Sequence, residues 1–123
     1  MKIRTFLLII GLSMLLFISI GCAPQQQSMY YWGDYSGSLY KVHKDPNETN
    51  VGEHQALLEN IIKESESRNL RVPPGVYAEL GYIYFLKKNT NEALNFFNKE
   101  KQIYPESTIF MENLIQRTEK LEK

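Results

Sequence analysis

The side chains able to do chemistry are few, and their spacing suits none of the common reactions. The chain holds one cysteine, Cys22, and two histidines, His43 and His54. A zinc site needs several cysteine or histidine ligands at short spacing, and there is no second cysteine and no His-x-x-x-His step to build one. No Gly-rich phosphate loop and no Ser/His/Asp arrangement can be read along the chain. His54 shares a helical stripe with Val51, Leu58, Ile61, Ile62 and Ser65, which marks it as a hydrogen-bonded structural histidine rather than a ligand. Glu64 and Glu66 fall on the solvated side of the same helix. The chain is therefore read as not an enzyme: no catalytic residue, no metal ligand and no cofactor is expected.

Cys22 has a different explanation, which lies in what precedes it. The stretch MKIRTFLLIIGLSMLLFISIGC opens with Lys2 and Arg4, runs uncharged from Thr5 to Gly21, and places a small residue ahead of the cysteine. That is the layout of a signal peptide over 1–21. A membrane-spanning helix needs roughly 20 apolar residues, and the run from Phe6 to Ile20 is shorter and ends in Gly-Cys-Ala-Pro rather than in basic residues. Ser19-Ile20-Gly21-Cys22 resembles the lipobox of bacterial lipoproteins, with serine where leucine is commonest. The resemblance implies that Cys22 is the lipid attachment residue and becomes the mature N-terminus. An ordinary secreted chain with a free thiol is the alternative. Ala23, in place of the aspartate that retains lipoproteins in the inner membrane, implies the outer membrane of a Gram-negative cell, with the protein facing the periplasm.

Removing 21 of 123 residues leaves 102, enough for one small domain. With Lys2 and Arg4 gone, 12 basic residues stand against 14 acidic ones. That balance excludes a basic face for nucleic acid and a polybasic hold on lipid headgroups, so the lipid must do the anchoring. Residues 22–29 read as a lipid-anchored tether and 30–123 as the folded domain. YYWGDYSGSLY packs aromatics too densely for a linker, and Trp32, Tyr35 and Leu39 recur at spacings of three and four. Whether this segment is a helix or a packed loop is left open by Gly33 and Gly37.

The expected fold is all-α. Helices are predicted at 35–44, 50–69, 75–88, 91–104 and 107–122. Asn50 and Glu53 give a capping box for the second. Pro74 suits the first turn of the third, and Ser107 or Thr108 can cap the last, whose Met111, Leu114, Ile115, Thr118 and Leu121 form one stripe. Tyr77, Leu80, Gly81 and Tyr84 share a face of one helix, and Ala93, Phe97 and Tyr104 a face of the next, which builds a helical hairpin. With Pro105, these positions resemble the tetratricopeptide repeat. Gly81 and Ala93 are small because closely crossing helices leave no room for more. The resemblance implies an α-α superhelix of helical hairpins with a C-terminal capping helix.

Two features of that arrangement concern function. The third helix is apolar nearly all round, with Ala78, Tyr82 and Phe85 turned from the hairpin face. In tetratricopeptide repeats the second face lines a ligand groove, so Trp32, Tyr82 and Phe85 are the candidates for partner binding. Burial of Tyr82 and Phe85 under Trp32, Tyr35 and Leu39 is the alternative. Glu100 lies between Ala93, Phe97 and Tyr104, where these repeats usually carry alanine. A structural, hydrogen-bonded carboxylate is expected there, joined to the preceding loop or to the last helix, with Tyr77, Tyr84, Arg71 or Arg117 as donors.

The lipobox, YYWGDYSGSLYKVHKDP, RVPPGVYAELGYIY and FFNKEKQIYPESTIFMENLI together resemble an uncharacterised family of small bacterial lipoproteins, the domain-of-unknown-function 4810 family. Its members are commonly encoded beside two other lipoproteins, one related to a curli-export pore family. The resemblance implies an outer-membrane protein-binding or assembly module whose partners are neighbouring envelope lipoproteins related to an export pore. The alternative is a periplasmic peptide-binding lipoprotein or regulator of a peptidoglycan enzyme. The anchor has a direct test. Cys22→Ser should abolish palmitate labelling and leave the protein unprocessed or soluble; a labelled variant still in the outer-membrane fraction would end the lipoprotein reading.

Overall fold

The computed structural model describes Met1, Ile3, Arg4 and residues 28–121. Most of the expected signal peptide over 1–21 and of the tether over 22–29, Cys22 included, lies outside the described residues. Among the described residues the fold is all-helical, with no strand: α1 (Tyr35–Lys44), α2 (Glu48–Ser67), α3 (Val76–Leu86), α4 (Thr90–Ile103), a 3-10 turn (Pro105–Ser107) and α5 (Thr108–Leu121). None of these helices is long and apolar enough to cross a membrane. The aromatic segment divides at Tyr35, helical from there and irregular before it.

Helix boundaries correct the sequence reading in three places. The N-cap of α2 is Asn47, whose side chain accepts the Asn50 N–H at 2.8 Å, while the Asn50 amide donates to the Asp45 carbonyl at 2.7 Å. Asn50, expected as the cap, therefore sits in the first turn. Pro74 precedes α3 rather than entering it, because Gly75 takes the N-cap position with φ +90°, a conformation that a side chain would strain. At α5 the hydroxyls of Ser107 and Thr108 donate to the carbonyls of Tyr104 and Pro105, at 2.7 and 2.6 Å, instead of capping amides. The end of α2 falls where Asn69 predicts it: that residue is left-handed at φ 53°, and the Leu70 N–H reaches back to the Ser65 carbonyl at 2.8 Å.

Each helix packs on the next in chain order, and the closest pairing is α3 with α4. Since α3 is apolar around its circumference, it can be covered on two sides. On one side Leu58 and Ile61 of α2, with Val72, meet Val76, Tyr77, Leu80 and Ile83. On the other, Ala93, Phe97 and Met111 of α4 and α5 collect Ala78, Phe85, Leu114 and Ile115. Fully buried side chains such as Leu58, Leu80 and Phe97 each stabilise the fold by about 1.5–3 kcal/mol. Gly81 makes the α3–α4 approach possible. A β-carbon there would lie 2.8 Å from the Phe97 ring and 3.2 Å from the Ala93 carbonyl.

The start of α3 is fixed by α4. Glu100, only 3% exposed, accepts the Gly75 N–H at 2.8 Å through Oε1, so a side chain of one helix caps the helix before it. The donors expected from sequence, Tyr77, Tyr84, Arg71 and Arg117, do not supply this bond. Tyr84 turns to Glu59, and Arg71 donates to the Ile103 carbonyl at 2.7 Å. The second oxygen, Oε2, is buried without a hydrogen-bond partner at good geometry. Burial raises the Glu100 pKa above the ordinary 4.5, and the amides of Gly75, Ala78 and Tyr77 oppose that rise.

Linkage fixes the sign of the consequence. With the folded pKa above the unfolded one, the stability that Glu100 contributes is fully present below the unfolded value and lost as pH rises through the folded one. The stability difference between wild type and Glu100→Ala should be about 0.5–1.5 kcal/mol at the acid end, the range of a bond to a neutral carboxyl group, and shrink as pH rises past 4.5. Urea unfolding at a series of pH values measures it; a difference that grows with pH would contradict this account.

Candidate functional site

Three helices contribute one polar chain. Tyr35 and Ser38 lie three residues apart on one face of α1, opposite His54 of α2 and Glu79 of α3. Tyr35 donates to Glu79 Oε2 at 2.7 Å, His54 Nε2 lies 3.0 Å from Glu79 Oε1, and Ser38 Oγ lies 2.8 Å from His54 Nδ1. An ionised carboxylate only accepts, so Nε2 carries the imidazole proton, and Nδ1 in neutral His54 accepts from the Ser38 hydroxyl. The polarity runs from Ser38 through His54 to Glu79, with Tyr35 as a second donor. Sequence reasoning placed His54 as a hydrogen-bonded histidine but missed this assembly; the Tyr35/Ser38 spacing was its only local signal. His54 is 2% exposed, which makes the chain of bonds a cross-link between helices. Burial, the Glu79 hydrogen bond and the Glu79 charge push the Tyr35 hydroxyl up to about 12.

Glu79 also borders a groove. Ala78, Glu79 and Tyr82 of α3 face Phe110 and Leu114 of α5, with Gly75 at one end, around about 360 Å³. Tyr82 is 46% exposed and Phe110 63%. Phe85 stacks on Tyr82 with ring centroids 5.9 Å apart, and it is half-buried against the Ala93, Phe97 and Met111 cluster. It was expected to turn away from that side; in the structure it backs Tyr82. Phe110 was missed because the stripe of α5 runs through Met111, Leu114 and Ile115 and leaves it outside the core.

Trp32, the third candidate for partner contact, is not in the groove. Its ring lies 5.2 Å from Tyr35 and 6.4 Å from Tyr30. Tyr35 in turn sits 5.7 Å from the His54 ring. The aromatic segment thus leans on α2 and Glu79 rather than folding over Tyr82 and Phe85. A second depression of about 460 Å³, lined by residues that include Pro46, Val51, Ile83 and Leu86, opens beside the start of α2 and contains none of the candidates. Among the described residues no group of three His, Cys, Asp or Glu side chains could hold a metal ion.

The model of a protein family described as Domain of unknown function (DUF4810) matches residues 29–114, from the aromatic segment to the groove residue Leu114. No curated protein and no solved structure matches the chain.

The polar chain has a testable share in stability. Tyr35→Phe removes one bond to a carboxylate at a half-exposed position and should cost about 1 kcal/mol near neutral pH. The folded pKa of Tyr35 lies above the ordinary 10.0, so this contribution is fully present below that value and lost as pH rises through about 12. Chemical unfolding of the two proteins should therefore converge in strongly alkaline buffer. Equal midpoints at neutral pH would show that the bond to Glu79 holds nothing.

Proposed function

We propose that this chain, which belongs to the DUF4810 family, is a lipid-anchored protein-binding module of the bacterial envelope. Its scaffold is read as helical hairpins of the tetratricopeptide kind. The Leu80-Gly81 pair against Ala93 and Phe97 supports that reading, and so does the closing Pro105. The observation that carries the function is the α3–α5 groove. Two large aromatic side chains, Tyr82 and Phe110, stand exposed around an apolar floor between α3 and α5. Leaving such side chains in water forgoes burial energy, and clustered exposed apolar groups mark interaction surfaces. Aromatic residues held by rigid neighbours, as Tyr82 is by Phe85, lose little entropy when a partner covers them.

The lipobox supports an anchor at Cys22, and Ala23 an outer-membrane address facing the periplasm. A tether followed by a small domain suits a protein that holds a neighbouring lipoprotein, such as one related to an export pore, close to the bilayer. Capture from detergent-solubilised envelope tests this. Wild type should retain a stoichiometric lipoprotein neighbour, and a folded Tyr82→Asp variant should lose it. Recovery of cell-wall enzymes or a smear of unfolded clients would replace assembly with regulation or holding. Equal recovery by both proteins would remove the groove from the interaction.

A further inference from the structure

We infer that the aromatic segment ahead of α1, through Met29 and Trp32, rests on the bilayer surface, so that an interfacial contact orients the domain in addition to the lipid that tethers it. The inference rests on the anchor reading of Cys22 and goes beyond it, because a lipid alone would leave the domain free to face any way.

Six residues, Ala23 to Ser28, separate Cys22 from Met29. Seven Cα steps span at most about 25 Å when fully extended, and a flexible chain of that length averages roughly 15 Å. A folded domain of about 100 residues is roughly 30 Å across. The tether is thus shorter than the domain is wide, and the end of the domain that carries Met29 is the end nearest the lipid. That end also suits a bilayer chemically. From Cys22 to Gly33 the sequence CAPQQQSMYYWG holds no charged side chain, and the first charge is Asp34. Its approach to the headgroups therefore desolvates no charge of its own.

Met29 is 72% exposed and Trp32 39%. Tryptophan and tyrosine favour the headgroup level of a membrane, where an apolar ring and a polar tip are both satisfied. Arg68 stacks on Tyr31 at 4.3 Å and is already paired with Glu64, so the fit is to the interface rather than to anionic lipid. Trp32 is firmly held. Its ring lies near Tyr30 and Tyr35, its carbonyl accepts the Tyr35 N–H at 3.2 Å, and Tyr35 is bonded to Glu79 of α3. A contact at Trp32 is thereby transmitted to the helical body. Beside the ring an open depression of about 430 Å³, lined by Trp32, Gly33, Tyr35 and Ser36, gives a headgroup room to enter.

Trp32 is the only tryptophan of the chain, so its fluorescence reports the contact directly. The lipidated protein, reconstituted into vesicles of phosphatidylethanolamine and phosphatidylglycerol doped with brominated phosphatidylcholine, tests the inference. Bromines near the headgroup end of the acyl chains should quench Trp32 strongly, bromines near the methyl end less, and aqueous acrylamide little. Met29→Asp changes an exposed residue and puts a charge into the contact; it should float with the vesicles as wild type does and lose most of the bromine quenching. Replacing phosphatidylglycerol by phosphatidylcholine should leave the quenching unchanged, and a loss there would assign the contact to cations rather than rings and overturn the inference. Flotation with Trp32 unquenched by bromine and open to acrylamide would overturn it and leave the anchor standing. A chain that carries no palmitate and does not float would count against both. Trp32 shielded in native envelope but not in vesicles would put a protein partner on the segment and likewise overturn it.

Discussion

The crossing of α3 and α4 at Gly81 sets the geometry on which the other contacts depend. Phe97 presses to where a β-carbon would stand, and it is itself fully buried, so it has nowhere to retreat. From that contact the inner stripe of α4 follows α3 back toward its start. Ala93 and Phe97 meet Gly81, Glu100 meets the Gly75 amide, and Tyr104 donates to the Val72 carbonyl at 2.5 Å. A larger residue at position 81 would shift every one of these, because they belong to one rigid helix and the residue that caps its end. The groove inherits the same register: Glu79 and Tyr82 flank Gly81, and Met111 of α5 packs with Ala93 and Phe97.

At the other end of the domain, α1 is attached by different means. It has no fully buried residue, so apolar burial alone gives it little. Tyr35 and Ser38 supply bonds instead, and each net hydrogen bond of this sort contributes about 0.5–1.5 kcal/mol. Because both end on the His54–Glu79 pair, the same bonds that hold α1 also orient Glu79, whose stem lines the groove. The aromatic segment and the groove are therefore mechanically linked without Trp32 touching Tyr82.

What could be read from the sequence was whatever depends on periodicity. The stripe through His54, Leu58, Ile61 and Ser65 is buried, the small residues Gly81 and Ala93 lie at the close approach, and the helices begin and end near their predicted places. What could not be read depends on three dimensions. That Glu100 would find a backbone amide follows from the offset of α4 along α3, which no spacing encodes. Asn47 and Asn50 are equally good caps on paper, and only the turn through Asp45 selects the first. Ser38, His54 and Glu79 are far apart in the chain, and their meeting needs three helices already in place.

Two carboxylates in this small domain have opposite fates, and the difference lies in their donors. Glu100 is enclosed by the helix it caps, its charge opposed by burial and favoured only by main-chain amides, so it is part of how the hairpin is built. Glu79 is served by the side chains of Tyr35 and His54 and keeps part of its side chain in water. A charge in water needs no partner, but one beside an apolar wall loses part of its hydration whenever that wall is covered.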